Sequence, residues 1–404
     1  MSKISVIVPC HNVEKYLPKC LESLIGQTFH DIDIVAVENA STDGTMDIIK
    51  KYASSDTRIK VLTSDIPSQQ NARRMGICAT SGEYIMFCDA DDWYAPDMCE
   101  VMYKAITESG ADIACCDAVL EYDEELSEKE KELRDFANYY SSGCSGIYKL
   151  GTARIMRTNV FIWNKIMRRD IVEKILPHYL PVKIHDDCLL WYLYALNADS
   201  IFYVNKQLYH YLLRPNSIMS RTKMSGMKNP CRMEDLRVSQ HVLDYVISRK
   251  NPTETDKEFI VLMYTERLKV MFEQLDNEDR TLVLEEANRD MKEKLKTRDL
   301  FVPLESGILD LYDCRSLPVL LWQGLMLKTH KKFNRLVGKR VSGSLERKIL
   351  VNDLKIGYKK NAVSDSDVKK NIIRTPNGQS ETDISRKRIM IDYLRLSKRP
   401  GCCR

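Results

Sequence analysis

The sequence predicts an α/β fold: a mostly parallel sheet flanked by helices, followed by a mainly helical C-terminal region. Two observations carry this prediction. The first 120 residues hold five short apolar runs, at 4–8, 32–37, 59–63, 84–88 and 112–116, and amphipathic segments separate them. Such alternation indicates parallel strands covered on both faces. The first helix, over 13–26, places Leu17, Leu21 and Leu24 on one side. The second is entered through Ser41-Thr42-Asp43-Gly44 and shows Met46, Ile48, Ile49 and Tyr52 on one face. A third, before the fourth run, carries Arg73 and Arg74. The stretch 121–135 is charge-rich and reads as an exposed excursion; 154–211 holds more helices and two short strands, at 201–204 and 208–211. From about Met233 the pattern is helical. Thr255 with Glu258 has capping-box spacing ahead of Phe259 and Ile260, and 282–295 continues in the same style. A polar stretch at 364–382, with Pro376-Asn377-Gly378, reads as a linker.

Composition narrows the class. At roughly 150 residues per domain, 404 residues imply two or three domains. The expected boundaries are 1–220 (in two parts, 1–120 and 121–220), a helical domain at 221–314 and a basic region at 315–404. The apolar block 317–327 falls far short of the roughly 20 residues of a spanning helix. The start of the chain lacks the pattern of a secretory signal. The expectation is a cytoplasmic protein, peripheral on the inner face of the membrane. Residues 315–404 hold 22 Lys or Arg against 7 Asp or Glu, so this segment carries +15 and the preceding 314 residues −11 of the net +4. An apolar block containing Trp322 ahead of Lys328, Lys331, Lys332 and Arg335 fits a helix lying on an anionic membrane surface, and fits equally a core helix with a charged face. Nucleic acid is not expected, because no array of aromatics interleaves the basic residues. The 13 cysteines form no Cys-x-x-Cys pair and read as reduced thiols; Cys78, Cys88, Cys115 and Cys116, in apolar runs, are expected to be buried.

In parallel sheets the ligand crevice lies beyond the carboxyl ends of the strands, and the polar clusters stand there. Pro9, His11 and Asn12 follow the first run; Glu38, Asn39 and Ser41 end the second; Asp89, Ala90, Asp91 and Asp92 follow the fourth. Three aspartates within four residues repel one another unless a divalent cation neutralises them or they stay solvated at a turn. Mg²⁺ is typically held by one or two carboxylates plus substrate phosphates. Ser41, Thr42 and Asp43 also make an ordinary helix start, and Arg73 an ordinary ion pair.

Together these segments resemble family 2 glycosyltransferases. Ile4-Ser5-Val6-Ile7-Val8-Pro9 with His11-Asn12, Val37 to Thr45, Ala72-Arg73 to Gly76, and Gly82-Glu83-Tyr84-Ile85 running into Asp89-Ala90-Asp91-Asp92-Trp93 carry the likeness, in order over about 90 residues. The family usually has an aspartate where Glu38 stands. Trp163-Asn164-Lys165 and His185-Asp186-Asp187 look like acceptor-side motifs of bacterial polysaccharide-building members, and Tyr209-His210-Tyr211 with Arg214 and Ser217 like the end of their catalytic domain. The resemblance covers roughly 1–220. It implies a GT-A fold and an inverting, metal-dependent transfer from a nucleotide-sugar, UDP-linked, to a glycan or lipid-linked acceptor. Pro9, His11, Asn12, Glu38, Asn39, Ser41, Arg73, Ala90 and Asp92 would bind the donor. Asp89 and Asp91 would hold Mn²⁺ or Mg²⁺, with His210 a third candidate, although a histidine between two tyrosines is more often structural. Asp187 would be the catalytic base, and Trp163, Asn164, Lys165 and Asp186 would serve the acceptor side. A carboxylate that takes the acceptor proton is worth ~10²–10⁴ in rate. A non-catalytic nucleotide-sugar- or glycan-binding module is the alternative. A nucleotidyltransferase is less consistent, for Pro9-Cys10-His11-Asn12 is not a glycine- and lysine-rich phosphate loop.

Overall fold

The computed structural model describes residues 2–126, 144–215, 233–249, 252–275, 277–296, 301–304 and 307–310. Two compact units divide the chain, 1–256 and 257–404. The first is a helix-flanked mixed sheet. Strands β1 (Ile4–Cys10), β2 (Ile32–Asn39), β3 (Ile59–Ser64) and β4 (Tyr84–Phe87) alternate with helices α1 (Leu17–Ile25), α2 (Thr45–Ser55) and α3 (Gln69–Cys78). β1 and β2 are buried along their whole length, as their unbroken apolar runs require. Leu17, Leu21 and Leu24 face the core without exposure. α1 begins four residues later than the apolar pattern suggests, because Pro18 is tolerated only in a first turn.

Four further strands extend the sheet: β5 (Trp93–Tyr94), β6 (Ile113–Tyr122), β8 (Lys165–Arg168) and β9 (Ser200–Leu213), in the order β3-β2-β1-β4-β8-β6-β9-β5, while β7 (Gly146–Lys149) pairs off this path with β9. β1–β4 are mutually parallel; β8 runs antiparallel between β4 and β6, and β9 is parallel to β6. The two short strands expected at 201–204 and 208–211 are one. Cys116 faces Val204 while Asp117 faces Gln207, so Asn205 and Lys206 bulge out and break the pattern. Helices α4 (Met98–Ser109), α5 (Thr152–Arg157), α6 (Arg169–Ile175), α7 (Asp186–Ala195) and α8 (Met233–Ser248) complete this unit.

α9 (Glu254–Gln274) opens with a capping box two residues earlier than predicted: Thr253 Oγ1 accepts the Asp256 N–H and the Asp256 carboxylate accepts the Thr253 N–H. In the second unit α10 (Asn277–Leu295) is followed by an antiparallel hairpin, β10 (Phe301–Leu304) and β11 (Gly307–Asp310), where the sequence pattern indicated only helix. Among the described residues no helix is long and apolar enough to cross a membrane. The basic region 315–404, the polar stretch 364–382 and Ser217 lie outside the described residues. The described cysteines are free. Cys88, Cys115 and Cys116 are buried as expected, whereas Cys78 is exposed, because it ends α3 on the side away from the sheet.

Candidate active site

Three strand ends and one helix start build the site. After β1 and β2 the chain turns through left-handed residues, Asn12 at φ 50° and Ala40 at φ 54°. Non-glycine residues rarely hold that conformation unless their surroundings fix it. Here the two turns fix each other. Asn12 Oδ1 accepts the Thr42 N–H at 2.8 Å, Ser41 Oγ accepts the Asn12 N–H at 3.2 Å, and His11 Nδ1 donates to the Asn39 carbonyl at 2.7 Å. Glu38 is buried and uses Oε1 to accept the Ser41 N–H at 2.5 Å, and Asn39 Oδ1 accepts the Ser68 N–H. Pro9 lies within the buried strand β1. His11, Asn12, Glu38, Asn39 and Ser41 therefore form one hydrogen-bonded rim.

The fourth strand end carries the carboxylates. α3 packs tightly on β1: a side chain at Gly76 would collide with Ile7. This close approach delivers Arg73, buried, to the strand ends. Its guanidinium bridges two carboxylates, Nη2 to Asp89 Oδ1 and Nη1 to Asp186 Oδ2, each at 2.8 Å. Asp186 is itself buried and accepts the Tyr179 hydroxyl at 2.6 Å. Arg73 is thus the cross-link between the turn after β4 and the start of α7. Burial opposes its charge, but Asp186 and Asp89 outweigh burial and hold its pKa well above the usual value. Asp89 also receives Gln69 Nε2, and burial leads the upward shift of its pKa against Arg73, with Asp91 and Asp187 adding repulsion. Asp89, Asp91 and Asp187 thus belong to one electrostatic neighbourhood.

Asp91 is held by Arg214, Nε to Oδ2 at 2.6 Å. Ala90 is buried beside it. Asp92 points the other way. It is 1% exposed, accepts the Tyr209 hydroxyl at 2.6 Å and the Leu212 N–H at 2.7 Å, and so ties the turn to β9 instead of facing the crevice. Burial, then Asp91 and Asp89, push its pKa well above the usual carboxylate range. A raised native pKa means that the folded chain binds more protons than the unfolded one over that window. Stability is therefore lost as pH rises from about 4, the unfolded value, through the native pKa. Asp92→Asn is expected to abolish this dependence, its amide donating to Tyr209 and its carbonyl accepting from Leu212. Urea midpoints of both proteins from about pH 4 to about pH 8 measure it; parallel curves would show that Asp92 is ionised in the fold.

The residues expected on the acceptor side divide in the same way. Trp163, Asn164 and Lys165 are at most 3% exposed, so they support the surface from beneath. Trp163 stacks on Tyr209 at 4.2 Å, and Asn164 Nδ2 donates to the Cys116 carbonyl. The Lys165 ammonium donates to the Asn159 and Phe161 carbonyls and to the Asn159 and Asn164 side-chain oxygens, and burial lowers its pKa. His210 donates to Glu121 through Nδ1 and stacks on Trp93, so those contacts turn it to β6 and β5. Asp187 is different. It is half-buried, accepts only its neighbour Cys188's N–H in the first turn of α7, and among the described residues makes no ion pair. A carboxylate at the edge of a charged cluster, not neutralised by a cation of its own, is suited to take a proton. Tyr179, Tyr209 and Arg214 complete the site. Tyr209 and Arg214 fall in the motif 209–217, but nothing in the sequence marks Tyr179.

Residues 5–176 match the family described as Glycosyl transferase family 2. The chain is similar to glycosyltransferase GlyA of Streptococcus pneumoniae serotype 4, 34% identical over 54% of this chain and 31% of GlyA. It is also similar to EpsH of Bacillus subtilis, 31% identical over 54% of this chain and 63% of EpsH. The chain thus spans about a third of one of these relatives and under two thirds of the other. A likeness in fold alone extends to the crystal structure of S. aureus TarS 1-349 in complex with UDP-GlcNAc, with TM-score 0.50 and 18% identity, covering 76% of this chain and 96% of that one.

Proposed function

Because residues 5–176 of this chain are a family 2 glycosyltransferase domain on a GT-A fold, we propose that the protein moves a sugar from a UDP-sugar to a hydroxyl of a glycan or lipid-linked acceptor during bacterial surface-polysaccharide synthesis. The observation that supports this reading is the Arg73 bridge, which ties the strand-end carboxylate Asp89 to Asp186, the neighbour of Asp187. The Asn12, Glu38 and Asn39 rim stands at the other side of the same strand ends and suits the nucleotide.

Asp89 and Asp91 fit a hard divalent cation. They are oxygen donors on one turn, and among the described residues no third ligating side chain joins them, as suits a cation shared with substrate phosphates. When bound, Mn²⁺ or Mg²⁺ supplies positive charge to the departing diphosphate. Arg214 holds one Asp91 oxygen and Arg73 and Gln69 hold one Asp89 oxygen, which orients both carboxylates. Asp187 takes the acceptor proton as the acceptor oxygen bonds to the anomeric carbon. The bond from that carbon to the diphosphate breaks, and its electron pair leaves with the nucleotide. A single displacement inverts the anomeric centre.

A screen of UDP-sugars with and without Mn²⁺ for hydrolysis or thermal stabilisation tests the proposal; no response to any nucleotide-sugar would overturn it. Asp91→Asn is expected to weaken cation-dependent donor binding by roughly tenfold or more, the scale on which changes around bound metals act. Calorimetry at saturating Mn²⁺ measures this, and unchanged affinity would remove Asp91 from the cation site. We further propose that 315–404 holds the enzyme on anionic membrane. Removing 315–404 should release it from phosphatidylglycerol vesicles in co-sedimentation, and unaltered binding would refute the anchor.

A further inference from the structure

α8 lies beyond the matched residues 5–176, yet its first turn grips the loop that leads to Asp187. Glu234 Oε2 accepts the Lys183 N–H at 2.9 Å, and Asp235 Oδ1 stands 2.7 Å from His185 Nδ1. The Asp235 side chain is wholly buried and that of His185 is 19% exposed. From the opposite side Gln70, one turn before Arg73 on α3, holds the same loop. Its Nε2 donates to the Leu180 carbonyl and its Oε1 accepts the Val182 N–H at 2.8 Å. Acidic residues in a first helical turn are favourable with no further role. Exposed side chains would serve that purpose, whereas these two are buried and aimed at one segment of chain.

His185 is the last residue before α7 and sits at φ 60°, ψ 32°. A β-carbon residue stays in this left-handed conformation when contacts hold it there. A carboxylate only accepts, so Nδ1 carries the proton given to Asp235, and the imidazole is anchored at one end. The backbone turn at His185 sets the direction in which α7 starts, and Asp187 is in its first turn. We propose that His185 and Asp235 are a positioning pair: Asp235, on a helix outside the matched region, fixes the His185 turn and thereby the placement of the Asp187 carboxylate. The catalytic half of this statement rests on Asp187 being the proton acceptor; the geometric half does not.

The test uses the full chain with ¹⁵N-labelled histidine and aspartate and three variants. Asp235→Ala removes the anchor. Asp235→Asn keeps an oxygen that accepts the Nδ1–H. His185→Gly admits the left-handed backbone freely but has no imidazole. In Asp235→Ala and His185→Gly the Asp186 and Asp187 amide resonances are expected to move while those of Asp31 and Asp33, at the start of β2, stay. The kcat for transfer should fall by up to about a hundredfold, the cost of small misplacements, with the donor KM unchanged. Asp235→Asn should restore most of both. The double variant should be no worse than either single one. Immobile Asp186 and Asp187 resonances in Asp235→Ala would overturn the pair whatever the activity, as would a full wild-type kcat in that variant, or additive losses in the double. If the resonances move but the wild-type chain transfers sugar from no donor, the pair stands as a positioning device and the transferase reading falls instead.

Discussion

Asp187→Asn is expected to lower the rate of sugar transfer by ~10²–10⁴ while leaving donor affinity as it was, the range a positioned general base contributes. The substitution keeps size and the Cys188 N–H contact but removes the negative charge that draws the acceptor proton. Asp186, its neighbour, is no substitute, because Arg73 and Tyr179 already occupy it in a buried position. Removing the Asp187 charge also relieves Asp89, whose pKa it helps to raise, so Asp89 should ionise slightly more easily in the variant. Equal KM with collapsed kcat is the signature of an interaction made only in the transition state. Transfer within a few-fold of wild type would move the role of base elsewhere.

Arg73→Met is expected to destabilise the first unit by about 3–5 kcal/mol, the cost of removing one partner from a buried ion pair. The guanidinium is 3% exposed and serves both Asp89 and Asp186, so its loss leaves two carboxylates facing each other across the space it filled. The Tyr179 hydroxyl and Gln69 amide remain but bring no charge. Arg73→Lys should recover only part of the loss, since one ammonium cannot span both oxygens as a planar fork does. A shift in urea midpoint at constant slope measures this, and a loss below about 1 kcal/mol would show that the bridge is nearly balanced by its desolvation.

The strands β1–β4 and the clusters beyond them were readable because apolar runs and the polar residues that follow them are local patterns. The rest of the sheet is less legible for physical reasons. β8 begins at Lys165 and ends at Arg168, so its residues look like a surface segment, although the lysine is buried among carbonyls. β5 is two residues long, and the bulge at Asn205 and Lys206 makes one strand look like two. At the site, residue identity marked Asp89, Asp91 and Asp187, but it did not reveal that Asp92 turns inward or that Trp163, Asn164 and Lys165 lie beneath the surface. Those facts depend on partners across the sheet, such as Tyr209 for Asp92. Asp235 was invisible for the same reason: fifty residues separate it from His185.

The insertion of β8 between β4 and β6 bears on how the protein emerges from the ribosome. When 1–122 have been made, β4 has an unoccupied edge and β6 has neither of its neighbours, for both partners are encoded downstream. At about 5–20 residues per second, the chain then waits roughly two to nine seconds before β8 arrives to close the gap. Tyr84–Phe87 is a wholly apolar strand during that delay, the kind of unpaired edge to which other chains add. Shortened versions that stop before residue 165 should accumulate as aggregates, and nascent chains of that length are natural clients for chaperones.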